Sequence, residues 1–443
     1  MATKSTTVAP NAPSYTGPFI TVAALFFIFG FITNLNMALV PHLKKIFDLP
    51  YGWAMLVVSA FFLAYFVFAS PTSKLIETIG YKKTMVVALF IQTVGCLLFV
   101  PAAKLVNFPL FLVAIFVVGA GVTALQTAAN PYVTILGPEH SAPARLTLAQ
   151  ALNSVGGTLA PIVAGHFILK DAAATASPAA IAETVRGPYI AIAGALLILG
   201  ITVMFLSLPH VSATKEFRPG TEGDEVLNRS IWSYRHTVLA ALGIFCYVGV
   251  EVYLGSVSFN FFQTQGINAE VAAKIATYFS GLGGFGEFVT NSLGPWTAVS
   301  IASVLVSGYW FGALIGRLLG SWMLTKIQAG KLLGLFGFAA AFFVVMSMLT
   351  SGHIAIIGIV LCGFFNSIMF PNIFALGVAG LGPMTSKGSG LIMTAVVGGA
   401  IVPAIAGAVA DKTDLQHAFI VPMVCYLYIA YYGIWGSKQR RAA

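Results

Sequence analysis

Uncharged amides recur inside long apolar runs of this 443-residue chain. Gln126 and Asn130 stand four residues apart, and Gln150 and Asn153 three apart, so each pair shares one face of a helix. Asn366 and Phe370 repeat the four-residue spacing in the second half. An amide donates and accepts hydrogen bonds without carrying charge, as hydroxyls do, so amides beside aromatic rings suit a neutral polyol. Any one of these amides would serve equally to tie two helices together. Asn34 and Asn36 lie about 200° apart on a regular helix, so only one of them can face a shared lumen.

The acidic residues narrow the chemistry further. Of the 14 Asp and Glu, nearly all fall in loops or at the ends of apolar runs. Glu251 instead lies deep in one, roughly 22 Å along a helix. A buried carboxylate without a partner is costly in its charged form, which makes it a natural proton carrier. The alternative is a structural glutamic acid held by hydrogen bonds. Tyr247, one turn earlier on the same face, is placed to bond it or simply to pack. No Lys or Arg is expected at mid-span to pair with Glu251, and Arg317 is expected near the inner end of its helix. Glu287, the only rival carboxylate, sits in a Gly-rich stretch outside the spans.

The elements that carry these residues follow from composition. The chain is 58% hydrophobic and 8% charged, with a mean hydropathy of +0.90. A soluble domain holds about 25% charged residues, so this chain could not cover a water-facing surface. Runs near 16–41, 52–73, 84–103, 106–136, 146–169 and 187–209 precede the one long hydrophilic break, 210–236. Runs near 237–263, 299–324, 331–350, 353–380, 387–410 and 415–436 follow it. Each has the roughly 20 apolar residues that a spanning helix needs. The expected fold is an all-α integral membrane protein: twelve transmembrane helices in two six-helix halves, 1–209 and 237–443, joined by a cytoplasmic loop over 210–236. With twelve spans, most of the 23 Lys and Arg fall on the side of this loop and both termini, which marks that side as cytoplasmic. Residues 264–298 are expected to form an external insertion containing a short helix from Ala269 to Tyr278. The prolines at 41, 131, 161, 371 and 403 mark places where backbone can open, and Asn372 after Pro371 has no readable direction.

The halves contain matching pieces. VGGTLAPIVAG at 155–165 recurs as VGGAIVPAIAG at 397–407, and Leu136-Gly137-Pro138 as Leu381-Gly382-Pro383. Two like halves with substrate held between them near the midplane is the repeat plan of one large class of transporters.

LQTAANPYVTILGPE (125–139) followed by RLTLAQALNSVGG (145–157) resembles the fucose–galactose–glucose symporter family of the major facilitator superfamily. TNLN (33–36), PHL (41–43), FCYVGVEV (245–252), GRLLGSW (316–322) and FNSIMFPNIFALG (365–377) extend the resemblance over nearly the whole chain. Gln126, Glu251 and FNSIMFP are similar to the glucose/galactose branch. The resemblance implies the major facilitator fold and hexose uptake across a bacterial inner membrane. It also implies that Asn34 rather than Asn36 faces the lumen. Together with the amide spacing and the mid-span carboxylate, the expected site is then Asn34, Gln126, Asn130, Gln150, Asn153, Glu251, Asn366 and Phe370, with Glu251 as the expected ion-coupling residue. Fucose permeases carry a coupling Asp in the first span and a Glu in the fourth; Met37 and Gln126 stand there in this sequence. Coupling to H+ through Glu251, coupling to Na+ and uncoupled diffusion therefore all remain open.

Other classes find less support. The seven histidines are scattered, and His166 reads as an interfacial or packing residue. No HExxH, Cys–His grouping or P-loop is present, which speaks against an enzyme or an ATP-driven pump. The four cysteines lie in separate apolar runs and read as small hydrophobes. A sugar sensor would need an output domain that the short loops do not offer. The expected partners are a sugar, H+ or Na+ and the lipid bilayer, with no cofactor, metal or nucleic acid, and the expected state is a monomer.

Overall fold

The computed structural model describes residues 16–49, 51–167, 177–206, 230–266, 269–281, 283 and 298–439. In the described residues every regular element is helical. Hydrocarbon offers no partner to a bare N–H or C=O, so a chain this apolar has to satisfy its backbone within each segment.

The first half comprises α1 (Thr16–Phe47), α2 (Tyr51–Lys104), α3 (Phe108–Ile135), α4 (Ala142–Phe167) and α5 (Pro178–Phe205). The second comprises α6 (Arg235–Thr264), the short α7 (Ala269–Ser280), α8 (Ala298–Met323) and α9 (Ala329–Leu349), then α10 (Gly352–Asn366) with α11 (Met369–Val378). It ends with α12 (Thr385–Thr394), α13 (Gly398–Lys412) and α14 (Ile420–Tyr431). Among the described residues ten helices are long and apolar enough to cross a membrane, one of them covering Leu56–Lys104. At 1.5 Å per residue that helix runs about 70 Å, more than twice a bilayer core of about 30 Å, so it supplies two spans. They meet at Gly80, whose φ of 82° turns the chain as few other residues can. With α4 the total is twelve. The short helix expected from Ala269 to Tyr278 extends to Ser280; the rest of the expected insertion, with Glu287, and most of the 210–236 loop lie outside the described residues.

Local signals set several boundaries. Asn107 accepts from the Leu110 N–H at 2.9 Å ahead of Pro109, and Ser177 from Ala180 at 3.3 Å ahead of Pro178, so α3 and α5 each start with a side-chain cap and an early proline. Asp414 accepts the Gln416 and His417 N–H groups at 2.8 Å, and these bonds, His417 foremost, hold its carboxyl below the ordinary carboxylate range. Large apolar side chains such as Phe66, Phe311, Trp322 and Phe342 remain exposed around the bundle, as lipid-facing positions should.

The internal repeat has a structural cause. A Cβ on Gly156 would stand 2.2 Å from the Phe27 carbonyl of α1, and one on Gly398 would stand 2.1 Å from the Phe245 carbonyl of α6. Matching glycines thus seat α4 on α1 and α13 on α6, the same contact in each half. On α8, Gly312, Gly316 and Gly320 fall four residues apart and face α10 and the link to α11: a Cβ on Gly316 would meet the Phe364 carbonyl at 2.6 Å. These small residues let backbones approach closely, the usual basis of helix packing in lipid.

The halves meet toward the end of the bundle that carries the 210–236 loop. There Ser386 donates to Glu77 at 3.0 Å, Ser389 to the Thr127 carbonyl at 2.8 Å, and Ser321 to the Ala144 carbonyl at 3.0 Å.

Candidate functional site

The α10–α11 break positions the second half's part of the site. Pro371 has no N–H to give to the carbonyl four residues earlier, that of Ser367. The helix parts there, at Ser367–Ile368, one turn before the proline itself. The Arg317 Nε donates to the freed carbonyl at 3.3 Å. Nη1 of the same guanidinium bonds the Gln150 carbonyl at 3.3 Å and the Ser154 hydroxyl, both on α4 of the other half. Nη2 lies 3.8 Å from Glu251 Oε1. That distance is an ion pair rather than a hydrogen bond.

The expectation that Glu251 has no cationic partner is therefore corrected. Arg317 is 6% exposed and occupies the interface between the halves. Its Cα is near the inner end of α8, about 9 Å from the terminus, as its register suggested. Side chains on a helix lean toward its N-terminus, however, and a long one reaches back toward the midplane. Glu251 also accepts from the Tyr247 hydroxyl at 2.7 Å and keeps 22% side-chain exposure. Tyr247 lies 6.2 Å, ring to ring, from Phe370, which stacks on Phe374.

Glu251, Tyr247, Phe370, Arg317 and the Gln150 backbone thus form one connected group. Asn366 adjoins it, giving its amide to the Tyr309 hydroxyl at 2.7 Å and leaving Oδ1 unpartnered. The other amides sit on separate seams of the first half. Gln126 donates to the Tyr65 hydroxyl at 3.0 Å. Asn130 points its amide at the Met393 sulfur, 3.6 Å away across the interface, and its Oδ1 is also bare. Asn34 donates to its own helix at Gly30, 2.9 Å away, and packs against Gly157. Asn153 points back at the Phe26 carbonyl, 3.5 Å away, on the same α1–α4 seam. Asn36 is buried and accepts from Tyr189 at 2.9 Å. Asn372 is fully buried with neither amide atom paired. The side chains of Met37 and His166 lie outside the described residues.

Sequence reasoning missed Arg317, Ser154, Tyr65 and Tyr309. Arg317 left a trace in the GRLLGSW run and Ser154 in RLTLAQALNSVGG, but neither run shows that the two side chains meet. Among the described residues no group of His, Cys, Asp and Glu has the makings of a metal site. Where the two halves meet, the arrangement offers aromatic faces, the Asn130 and Asn366 amides and one carboxylate paired with Arg317, while Gln126, Asn34 and Asn153 are held on seams within the first half.

The family model described as the Major Facilitator Superfamily matches residues 21–300. A glucose/galactose transporter of Brucella abortus biovar 1 (strain 9-941) is 42% identical over 418 residues, covering 94% of this chain and 93% of its own. The L-fucose-proton symporter of Escherichia coli (strain K12) is 30% identical over 446 residues, covering 97% and 95%. The solved structure of a fucose:proton symporter in the outward conformation superposes with a TM-score of 0.80 at 29% identity, covering 97% of this chain and all of that one. The chain is a membrane transporter of the major facilitator superfamily, not an enzyme. Within the superfamily it belongs to the fucose–galactose–glucose symporter family, in the glucose/galactose branch.

The buried bond from Tyr189 gives Asn36 a packing role that binding measurements can separate from the site. Asn36→Ala strands a buried hydroxyl, at a cost of about 1–3 kcal/mol. It should lower the unfolding temperature in detergent while leaving sugar affinity within twofold of wild type.

Proposed function

We propose that this transporter imports a neutral hexose, glucose or galactose, by alternating access of a midplane site. The relatives' names support the substrate class, and the carrying observation is a pair of buried amides, Asn130 and Asn366, whose acceptors have no partner. Sugar hydroxyls supply the donors that those acceptors lack. Asn34, Gln126, Asn130, Gln150, Asn153, Glu251, Asn366 and Phe370 form the proposed binding set, and the protein acts as a monomer. Replacing Gln126 or Asn153 by Ala removes one neutral hydrogen bond, about 0.5–1.5 kcal/mol, so sugar affinity should fall roughly 2- to 13-fold. Wild-type affinity in both variants, measured by equilibrium binding, would remove these residues from the site.

We place the protein in the inner membrane with both termini and the 210–236 loop in the cytoplasm, on the strength of the Lys and Arg bias. A membrane-impermeant maleimide should label Ser437→Cys in inside-out vesicles and leave it untouched in intact cells. The reverse pattern inverts the orientation. In this frame the halves are joined on the cytoplasmic side, and on that ground we read the structure as an outward-facing state.

Glu251 is the proposed proton carrier. It is a partly exposed carboxylate at the interface of the halves, and the positions that titrate in fucose permeases hold Met37 and Gln126 here. Coupling requires its proton affinity to differ between the two facing states, and a partly exposed carboxylate where the halves meet changes its contact with water as they rock. Glu251→Gln should abolish gradient-driven sugar accumulation in proteoliposomes while preserving exchange between equal sugar pools. Accumulation by that variant at the wild-type level would acquit Glu251. If the wild-type protein only equilibrates sugar under proton and sodium gradients alike, it is a facilitator and Glu251 a sugar ligand.

A further inference from the structure

We propose that Arg317 is the latch that holds the two halves together in the outward-facing state: its guanidinium must let go of α4 before the site can open to the other side. The proposal rests on the alternating-access reading but not on the identity of the sugar.

Three of the four partners of Arg317 accept without titrating. The Gln150 carbonyl at 3.3 Å and the Ser154 hydroxyl belong to α4, whereas the Ser367 carbonyl at 3.3 Å belongs to the second half. The fourth, Glu251 at 3.8 Å, also belongs to the second half. One side chain thus spans the interface with its anchors on one side and its grip on the other. Seated on α8, Arg317 travels with the second half, so rocking the halves apart at this end keeps Ser367 and Glu251 within reach and strands only the bonds to α4.

The anchor is rigid for a stated reason. The Ser367 carbonyl is orphaned by Pro371 and needs a donor in any state. Gly316 and Gly320 hold α8 tight against that break, so the guanidinium starts from a fixed place. A guanidinium offers five donors in a planar fork and can serve both sides at once; an ammonium acts as a point charge and cannot.

The other contacts at the same end are weaker latches. Ser389 and Ser321 each give a single neutral hydrogen bond to a carbonyl across the interface, and Ser386 gives a single bond to the Glu77 carboxylate, whereas Arg317 makes two bonds to α4. Bonds to a charged group are worth roughly twice as much as neutral ones. Arg317 should therefore dominate the closure.

The test reads the opening of the interface directly. Ser389 is fully buried between the halves, so a cysteine there reacts with maleimide only when that end opens. The native cysteines are buried, and the parent protein gives the background. In the Ser389→Cys protein, without sugar, adding Arg317→Ala should speed labelling about tenfold. Arg317→Lys keeps the charge that faces Glu251 but loses the fork, and should speed it nearly as much with an unchanged unfolding temperature. Ser154→Ala removes one of the two α4 acceptors and should speed labelling two- to fivefold; combined with Arg317→Ala it should add nothing, since the Ser154 hydroxyl then has no guanidinium bond left to lose. Labelling that is unchanged in Arg317→Lys and Ser154→Ala would overturn the latch. So would additive effects of Ser154→Ala and Arg317→Ala. Because no sugar is present, failure here leaves the substrate proposal standing, and failure of sugar transport leaves this measurement intact.

Discussion

A backbone carbonyl that loses its helical donor has no water to turn to inside a bilayer, and that constraint organises the interface between the halves. Pro131 on α3 takes the donor from Thr127, and Ser389 of the opposite half supplies a hydroxyl at 2.8 Å. Pro371 takes the donor from Ser367, and Arg317 supplies a guanidinium N–H at 3.3 Å. Both prolines sit on corresponding helices of the two halves. In each case the repair comes from a polar side chain that lies at the seam where the halves meet. Polar groups at the centre of a membrane protein are costly to place. Here the broken backbone gives them partners, and so the weakened helix and the functional interface coincide.

Glycine decides how near the helices come and therefore which side chains can reach one another. Gly156 and Gly398 occupy the same place in the repeated VGG run, and each brings its helix onto a carbonyl of the first helix of its half. The stripe along α8 does the corresponding work at the α10–α11 break. Without Gly316 the Ser367 carbonyl would stand farther from α8, and the Arg317 fork could not serve that carbonyl, Glu251 and α4 together. The site is a product of close helix approach more than of any single motif.

This division explains what could be read from the sequence. The spans, the six-and-six division and the repeat were legible because they depend on composition and on residues in fixed register, which a linear chain displays. The helix break was legible in kind but misplaced by a turn, because proline disturbs the carbonyl four residues before it and not its own position. Arg317 was read from its place near the end of α8, correctly for its Cα, but register does not report where a long side chain ends. Amide spacing was likewise informative about faces and silent about partners: Gln126 spends its amide on Tyr65 and Asn366 on Tyr309, two tyrosines that no spacing connects to them. Contacts between helices distant in sequence need the packed structure.

The energetics of the Glu251–Arg317 pair explain why such an arrangement can switch. At 3.8 Å and an effective dielectric of about 20, two unit charges attract by roughly 4 kcal/mol. Taking each charge out of water costs several kcal/mol, so attraction and desolvation nearly cancel. A pair so balanced is not a strong stabilising element, and small changes in hydration or distance tip it toward the neutral acid. Arg317 does not depend on the outcome, because its carbonyl and hydroxyl acceptors remain when the carboxylate is neutralised. The cation is fixed by partners that do not titrate, while the carboxylate beside it is held by one tyrosine bond and a long ion pair. Of the two charges, the one free to change is the one that can carry a proton.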